Sequence, residues 1–200
     1  MLYLSIQGGG SLDSVLIVSS SNKAREFFIE VLSQNSYGEV VTVTNGGEAR
    51  RLLVERIFDL CIINSPLIDE FGDEFAKDIV SSSIGQVIIV VRNDIYDEIS
   101  EKLEEYGIIT IAKPMNRTIF WSVLKIANAT YNKIYKLKKE NNKLLQKIED
   151  IKMIDRAKCI LIQYLNMTES EAHRYIEKQA MDMRTTRKTI AEGILRTYEN

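Results

Sequence analysis

Asp13-Ser14-Val15-Leu16-Ile17-Val18-Ser19-Ser20 is a short, largely β-branched apolar run closed by polar residues, the form taken by a strand covered on both faces of a parallel sheet. Comparable runs follow at Val40 to Val43, Leu60 to Ile63, Val87 to Val91 and Ile108 to Ile111. Segments with helical spacing separate them, among them Ala24 to Leu32, Glu48 to Ile57 and Tyr96 to Tyr106. Five strands alternating with helices of about 10–15 residues predict an α/β domain with a doubly wound five-stranded parallel sheet. In such sheets ligands gather at the carboxyl ends of the strands.

Beyond the sheet the pattern changes. After Asn116 neither Pro nor Gly occurs until Gly193, so the last helix of the α/β domain is free to run on. With Ile134 at heptad position a, the a series reads Phe120, Ala127, Ile134, Asn141, Ile148 and the d series Val123, Thr130, Leu137, Leu144, Ile151. That repeat predicts a short coiled coil whose dimer seam is Ile134, Leu137, Asn141, Leu144, Ile148 and Ile151. A lone Asn at position a fixes register and two-stranded parallel pairing. The g to e′ pairs, Lys133 with Lys138 and Lys147 with Lys152, repel, so the coil is weak alone. Past Leu165, Thr168-Glu169-Ser170-Glu171 forms a capping box that starts a new helix. That helix is expected to carry Ala172, Tyr175, Ile176 and Gln179 to about Ala180, and a third, beginning near Thr185 or Thr186, to bury Ile190, Ile194 and Leu195. Together they make a small three-helix bundle.

Composition supports this layout. The 200 residues are 45% hydrophobic and 27% charged, with 10 Gly and 2 Pro, which is the profile of a folded globular chain and not of a disordered one. The net charge of −2 hides an asymmetry. Residues 1–130 carry 11 Lys/Arg against 18 Asp/Glu, a balance of −7, and residues 131–200 carry 15 against 10, a balance of +5. An acidic front joined to a basic rear suggests a regulatory piece attached to one that meets a polyanion. Cys61 and Cys159 each sit in an apolar run without metal-ligand spacing and read as buried thiols of a reducing cytoplasm. The longest apolar run, Val87 to Val91, is far short of the roughly 20 residues that span a bilayer, so a membrane location is not expected. His173 lacks partners for a metal or catalytic site, and Gly8-Gly9-Gly10 lacks the Lys-Ser/Thr of a phosphate loop.

Phe58-Asp59-Leu60-Cys61-Ile62-Ile63-Asn64-Ser65-Pro66-Leu67, followed by Ala112-Lys113-Pro114, resembles the receiver domain of bacterial response regulators, a flavodoxin-like fold. That resemblance implies an acidic pair after strand 1, a phosphoacceptor Asp after strand 3, a Thr/Ser after strand 4 and a Lys-Pro after strand 5. Here Ser19 and Ser20 stand at the acidic pair, Asn64 at the phosphoacceptor, Val91 or Arg92 at the hydroxyl and Thr110 at an aromatic switch; Lys113 and Pro114 are kept. Two serines and an amide offer Mg²⁺ no compensating charge, and an amide is no carboxylate nucleophile. The front is therefore read as a pseudo-receiver with a degenerate pocket of Ser19, Ser20, Asn64 and Lys113. Lys113 is expected to pair with a nearby acid or carbonyl. Asp59 lies at the wrong end of strand 3 to replace the acceptor, and Asp73 is expected to cap the following helix.

Asp155-Arg156-Ala157-Lys158-Cys159-Ile160-Leu161, Thr168-Glu169-Ser170-Glu171-Ala172, Gln179-Ala180-Met181-Asp182 and Arg187-Lys188-Thr189-Ile190-Ala191-Glu192 together resemble the ANTAR domain over about residues 150–197. Cys159 departs from the Gly frequent there. The resemblance implies a noncatalytic antiterminator that binds hairpins in nascent mRNA leaders as a dimer. It implies RNA contacts from Arg156, Lys158, Arg184, Arg187 and Lys188. The expected division is a receiver-like domain at 1–117, a coiled-coil helix at 118–153 and an RNA-binding bundle at 154–200. No metal or cofactor is called for, and a regulatory protein or ligand is left open as a further partner. Two other readings stand beside this one, a DNA-binding regulator in which residues 181–186 form the turn of a helix-turn-helix, and a dimeric scaffold.

Overall fold

The computed structural model describes residues 14–33, 37–82 and 85–198; Gly8-Gly9-Gly10 and Asp13 lie outside them. The chain forms two compact units that divide between Lys136 and Leu137.

The first unit holds five parallel strands, β1 (Ser14–Val18), β2 (Glu39–Val43), β3 (Leu60–Asn64), β4 (Gln86–Arg92) and β5 (Ile109–Lys113), in the order β2-β1-β3-β4-β5. Between them run α1 (Asn22–Ser33), α2 (Gly46–Glu55), α3 (Asp73–Ser82) and α4 (Tyr96–Glu104). This is the doubly wound sheet that the alternating runs predicted. Side chains alternate between its faces. Leu16, Val18, Cys61, Ile63, Val87, Ile89 and Val91 meet Ala49, Phe75, Ala76, Ile79, Ile99 and Leu103 on one face. Val15, Ile17, Leu60, Ile62, Ile88 and Val90 meet Phe28, Val31 and Leu32 of α1 on the other. Each fully buried Val, Ile, Leu or Phe contributes about 1.5–3 kcal/mol against exposure, so covering both faces of β1, β3 and β4 holds this unit together.

The long helix α5 (Arg117–Leu165) begins on that second face, where Phe120, Leu124 and Ala127 are fully buried. The Phe120 ring lies 5.0 Å from Phe28 and 5.9 Å from Phe27. Ala127, which looks weak as a coiled-coil residue, is small because it packs against the sheet. At the amino ends of the strands Asp59 joins three elements. Its Oδ2 accepts from Ser14 N and Ser14 Oγ, both at 2.9 Å, and its Oδ1 accepts from the Tyr131 hydroxyl of α5 at 2.8 Å. Next to it, Gln86 N donates to Asp59 O at 2.8 Å and Gln86 Nε2 to Gly107 O at 2.9 Å. Chain approach there is so close that a Cβ on Gly85 would sit 2.4 Å from Phe58 O. Asp73 differs from its expected capping role. It is the first residue of α3, the cap position belongs to Gly72, whose carbonyl accepts from Ala76 N, and the Asp73 carboxylate is drawn instead to Lys102 of α4.

The second unit packs Ala157, Ile160 and Leu161 of α5 against Ala172 and Ile176 of α6 (Glu169–Asp182) and Ala191 and Ile194 of α7 (Arg187–Tyr198). Alanines from all three helices let the backbones approach closely. The capping box is formed: Glu171 Oε2 accepts from Thr168 N at 2.8 Å and Thr168 Oγ1 accepts from Glu171 N at 3.3 Å. Tyr175 is exposed and Gln179 half-buried, while Ile190 and Leu195, expected on the buried face of the third helix, are only partly buried. Cys159 is exposed as well, because Ala157, Ile160 and Leu161 already fill the inward positions of that turn. Cys61 is buried as expected, and burial pushes its thiol pKa up.

Removing the Tyr131 hydroxyl leaves a carboxylate oxygen short of a donor, and hydrogen bonds to charged groups contribute about 1.5–3 kcal/mol. Tyr131→Phe is expected to lower the stability of the first unit by about that amount in urea unfolding.

Candidate nucleic-acid interface and strand-end pocket

At the carboxyl ends of β1 and β3, Ser19 is fully buried and Asn64 is buried to 7% exposure. The structure brings these two together: Asn64 Nδ2 donates to Ser19 Oγ at 2.9 Å, and Ser19 N is held by Val43 O at 3.0 Å. Ser20 is exposed and not part of that bond. Lys113 donates from Nζ to the Ser65 carbonyl, so its predicted pairing with a carbonyl is what the structure has. Burial, and then the charge of Arg92, push its pKa down. Arg92 is in register with Lys113 on the neighbouring strand, while Val91 is fully buried. Two cations therefore stand at this end of β4 and β5. Sequence reasoning missed the neighbouring Asp69. Its carboxylate caps α2, accepting from Gly46 N and Gly47 N at 2.9 Å each, bonds that hold its pKa down. The pair of glycines at 46–47 was the available signal. Thr110 keeps a buried hydroxyl without a partner among the described residues.

Along the middle of α5, Ile134, Leu137, Leu144, Ile148 and Ile151 are 47–59% exposed, Leu145 is equally open at 55%, and Asn141 is exposed among them. A face of five large aliphatic residues at heptad spacing stands bare in the single chain.

The five residues assigned to RNA divide into three kinds. Lys158 is 16% exposed and bonded to Asp155 and Glu169, both at 2.9 Å, and these carboxylates raise its pKa. Arg187 meets Glu177 at 3.1 Å, and Lys188 meets Asp150 at 2.9 Å. These pairs tie α7 to α6 and α5. Arg156 is exposed on α5. Arg184 is different again, because its backbone φ is +50°. Thr185 N donates to Ala180 O at 3.0 Å and Arg184 N to Met181 O at 3.1 Å, the Schellman pattern that ends a helix and usually takes glycine at this position. Here that position carries an exposed arginine. Met181 and Met183, 73% and 66% exposed, flank it. Beside it, Tyr175, Gln179, Met183, Thr189 and Tyr198 line an open groove. Sequence reasoning missed this surface; two methionines two residues apart at a helix end, which cannot share one buried face, were the available signal. His173 is half-exposed, 3.3 Å from Glu177. Among the described residues no three His, Cys, Asp or Glu side chains converge as a metal site, and no helix is long and apolar enough to cross a membrane.

Residues 142–195 match the family model of the ANTAR domain. The chain is similar to the transcriptional regulatory protein PdtaR of Mycobacterium tuberculosis, with 27% identity over 183 residues, 92% of this chain and 89% of that protein. It is also similar to the aliphatic amidase regulator of Pseudomonas aeruginosa, 32% identical over 94 residues, 47% of each. In fold it resembles the signal receiver domain of an HD domain-containing protein from Pseudomonas fluorescens Pf-5, with a TM-score of 0.56, 19% identity, and coverage of 66% of this chain and 98% of that one. A response regulator receiver domain protein from Methanospirillum hungatei JF-1 gives 0.54 at 22% identity, covering 62% and 98%.

An L-residue other than glycine costs about 1–2 kcal/mol in the left-handed region. Arg184→Gly is therefore expected to stabilise the second unit by about 1 kcal/mol in thermal melts. A second expectation concerns acid. Asp150, Glu169 and Glu171 have pKa values held down by Gln146 and Lys188, by Lys158 and by Thr168 respectively. Groups with lowered folded pKa values contribute stability that is present above the ordinary carboxylate range and lost as pH falls through it. The melting temperature should drop as pH falls below about 4, and less so in the triple variant Asp150→Asn, Glu169→Gln, Glu171→Gln.

Proposed function

We propose that this regulator, which carries an ANTAR domain behind a receiver-type domain, is an antiterminator that binds hairpins in nascent mRNA leaders as a dimer. The chain is regulatory and not an enzyme, as its family match and its named relatives are. The observation that carries the RNA reading is Arg184. An arginine sits where the helix end favours glycine, so the chain accepts a local conformational cost to display a cation beside two exposed methionines and an open groove that Tyr175 and Tyr198 help to line. Backbone strain of this kind gathers at functional positions, and hairpin loops offer unstacked bases to cations and to apolar or aromatic side chains. Arg156, Arg187 and Lys188 add phosphate contacts around it. Lys158, nearly covered by its two carboxylates, acts chiefly as a brace between α5 and α6.

In this reading residues 1–117 receive the signal, 118–153 pair two chains through Ile134, Leu137, Asn141, Leu144, Ile148 and Ile151, and 154–200 hold the RNA. A dimer engages two loops on one transcript and gains effective concentration by doing so. The receiver-type domain works without acyl phosphate, because Asn64 is tied to Ser19 and, among the described residues, Lys113 is bonded to a backbone carbonyl and not to a carboxylate. Control then comes from a protein or small ligand, and the site of action is the cytoplasm, where transcripts emerge.

A mobility shift with the leader RNA of the neighbouring operon, and duplex DNA of the same region as control, tests the function. Binding to the RNA is expected, and binding to the DNA alone would sink the proposal. Arg184→Gly should weaken RNA binding by roughly tenfold, as loss of one direct contact does, while the fold becomes more stable. Acetyl phosphate with Mg²⁺ should give no phosphorylated chain by mass spectrometry.

A further inference from the structure

Lys133, Lys138, Lys147 and Lys152 lie along α5 and flank the bare aliphatic face. In the heptad frame Lys133 and Lys147 take position g, and Lys138 and Lys152 take position e. A parallel pair therefore sets Lys133 against the partner's Lys138 and Lys147 against the partner's Lys152, and the two-fold axis repeats each juxtaposition. These are the positions at which attractive charges normally set coiled-coil pairing. The acids of the stem relieve them only in part. Glu140, the remaining g residue, faces the apolar position of Leu145, and Glu149 lies on the outer surface, where it holds Lys152 of its own helix at 3.0 Å. Asp150 is engaged by Lys188 and Gln146.

We infer that paired stems form a composite anion site whose ligand is the phosphodiester backbone of RNA, so that assembly of the dimer and occupation of the stem by RNA are linked. The site is absent from the single chain, since each ammonium pair needs a residue from both copies. Anything that binds the dimer and not the monomer shifts the monomer–dimer equilibrium by mass action. The like-charged flanks keep free chains apart at low concentration, and a polyphosphate strand laid along the stem neutralises both sides at once, with release of its own counterions. RNA is favoured over a free anion because the two juxtapositions lie two heptads apart on each side, a spacing that one extended strand follows and a small ion does not. The inference rests on the parallel dimer proposed above, and not on hairpin recognition by the bundle.

The test is sedimentation equilibrium of the full chain, fluorescently labelled at its amino terminus, at constant ionic strength. The added probe is an oligouridylate, which forms no hairpin, with inorganic tripolyphosphate at equal phosphate concentration as the second arm. The double variant Lys133→Glu, Lys147→Glu, which converts each repelling pair to an attracting one, is measured alongside. The expected result is that oligouridylate tightens the wild-type dimer about tenfold, more than tripolyphosphate does. The variant should dimerise more tightly without RNA and not respond to it. Three results would overturn the linkage: a wild-type dimer indifferent to oligouridylate, a variant that responds as strongly as wild type, or an effect of tripolyphosphate alone. If both chains stay monomeric at every concentration with and without RNA, the parallel seam itself is what fails.

Discussion

A helix of 49 residues must find something to cover its apolar positions along its whole length, or leave some of them in water, and α5 does both. Its first turns bury Phe120, Leu124 and Ala127 under the sheet, and its last turns bury Ala157, Ile160 and Leu161 in the terminal bundle. Between these stretches the aliphatic positions from Ile134 to Ile151 have no cover in the single chain. Under the proposed function, a second copy shields this middle stretch. In the inference drawn above, the lysines flanking it set how readily that second copy is accepted.

Under the proposed function, the pocket at the strand ends illustrates how a fold outlasts a chemistry. The sheet order and register, with Asn64 at the end of β3 and Lys113 at the end of β5, leave the polar positions in place. What stands there is an amide bonded to a serine and a lysine bonded to a backbone carbonyl. Each has a partner within the domain. Under the proposed function, the input that phosphate would supply comes instead from contacts on the surface of this domain.

Much of the fold was legible in the sequence because it rests on local signals: β-branched runs bounded by polar residues, a long stretch without Pro or Gly, and Thr168 with Glu171 three positions on. What escaped depended on partners distant in sequence. Asp59 looked merely misplaced, yet it joins β1, β3 and α5 through residues 45 and 72 positions away. Asp69 caps a helix whose first residue lies 23 positions earlier. Apolar character alone placed Cys159 inside, but the alanines and isoleucines of the bundle had already filled the space. Lys158, Arg187 and Lys188 read as free cations in sequence because charge patterning does not say which carboxylates fold back onto them.

The left-handed turn at Arg184 also bears on how the protein responds to mutation and selection. Every arginine codon is a single base change from a glycine codon, so glycine is always within reach at this position. By the energetics of the Schellman turn that change would make the bundle more robust. Selection for thermal endurance pushes toward it, and under the proposed function the task of the displayed guanidinium opposes it. On that reading the turn marks a position where durability and performance are in conflict, and a survey of heat-tolerant mutants of this chain would find the proposed RNA surface by the stabilising changes that cost binding.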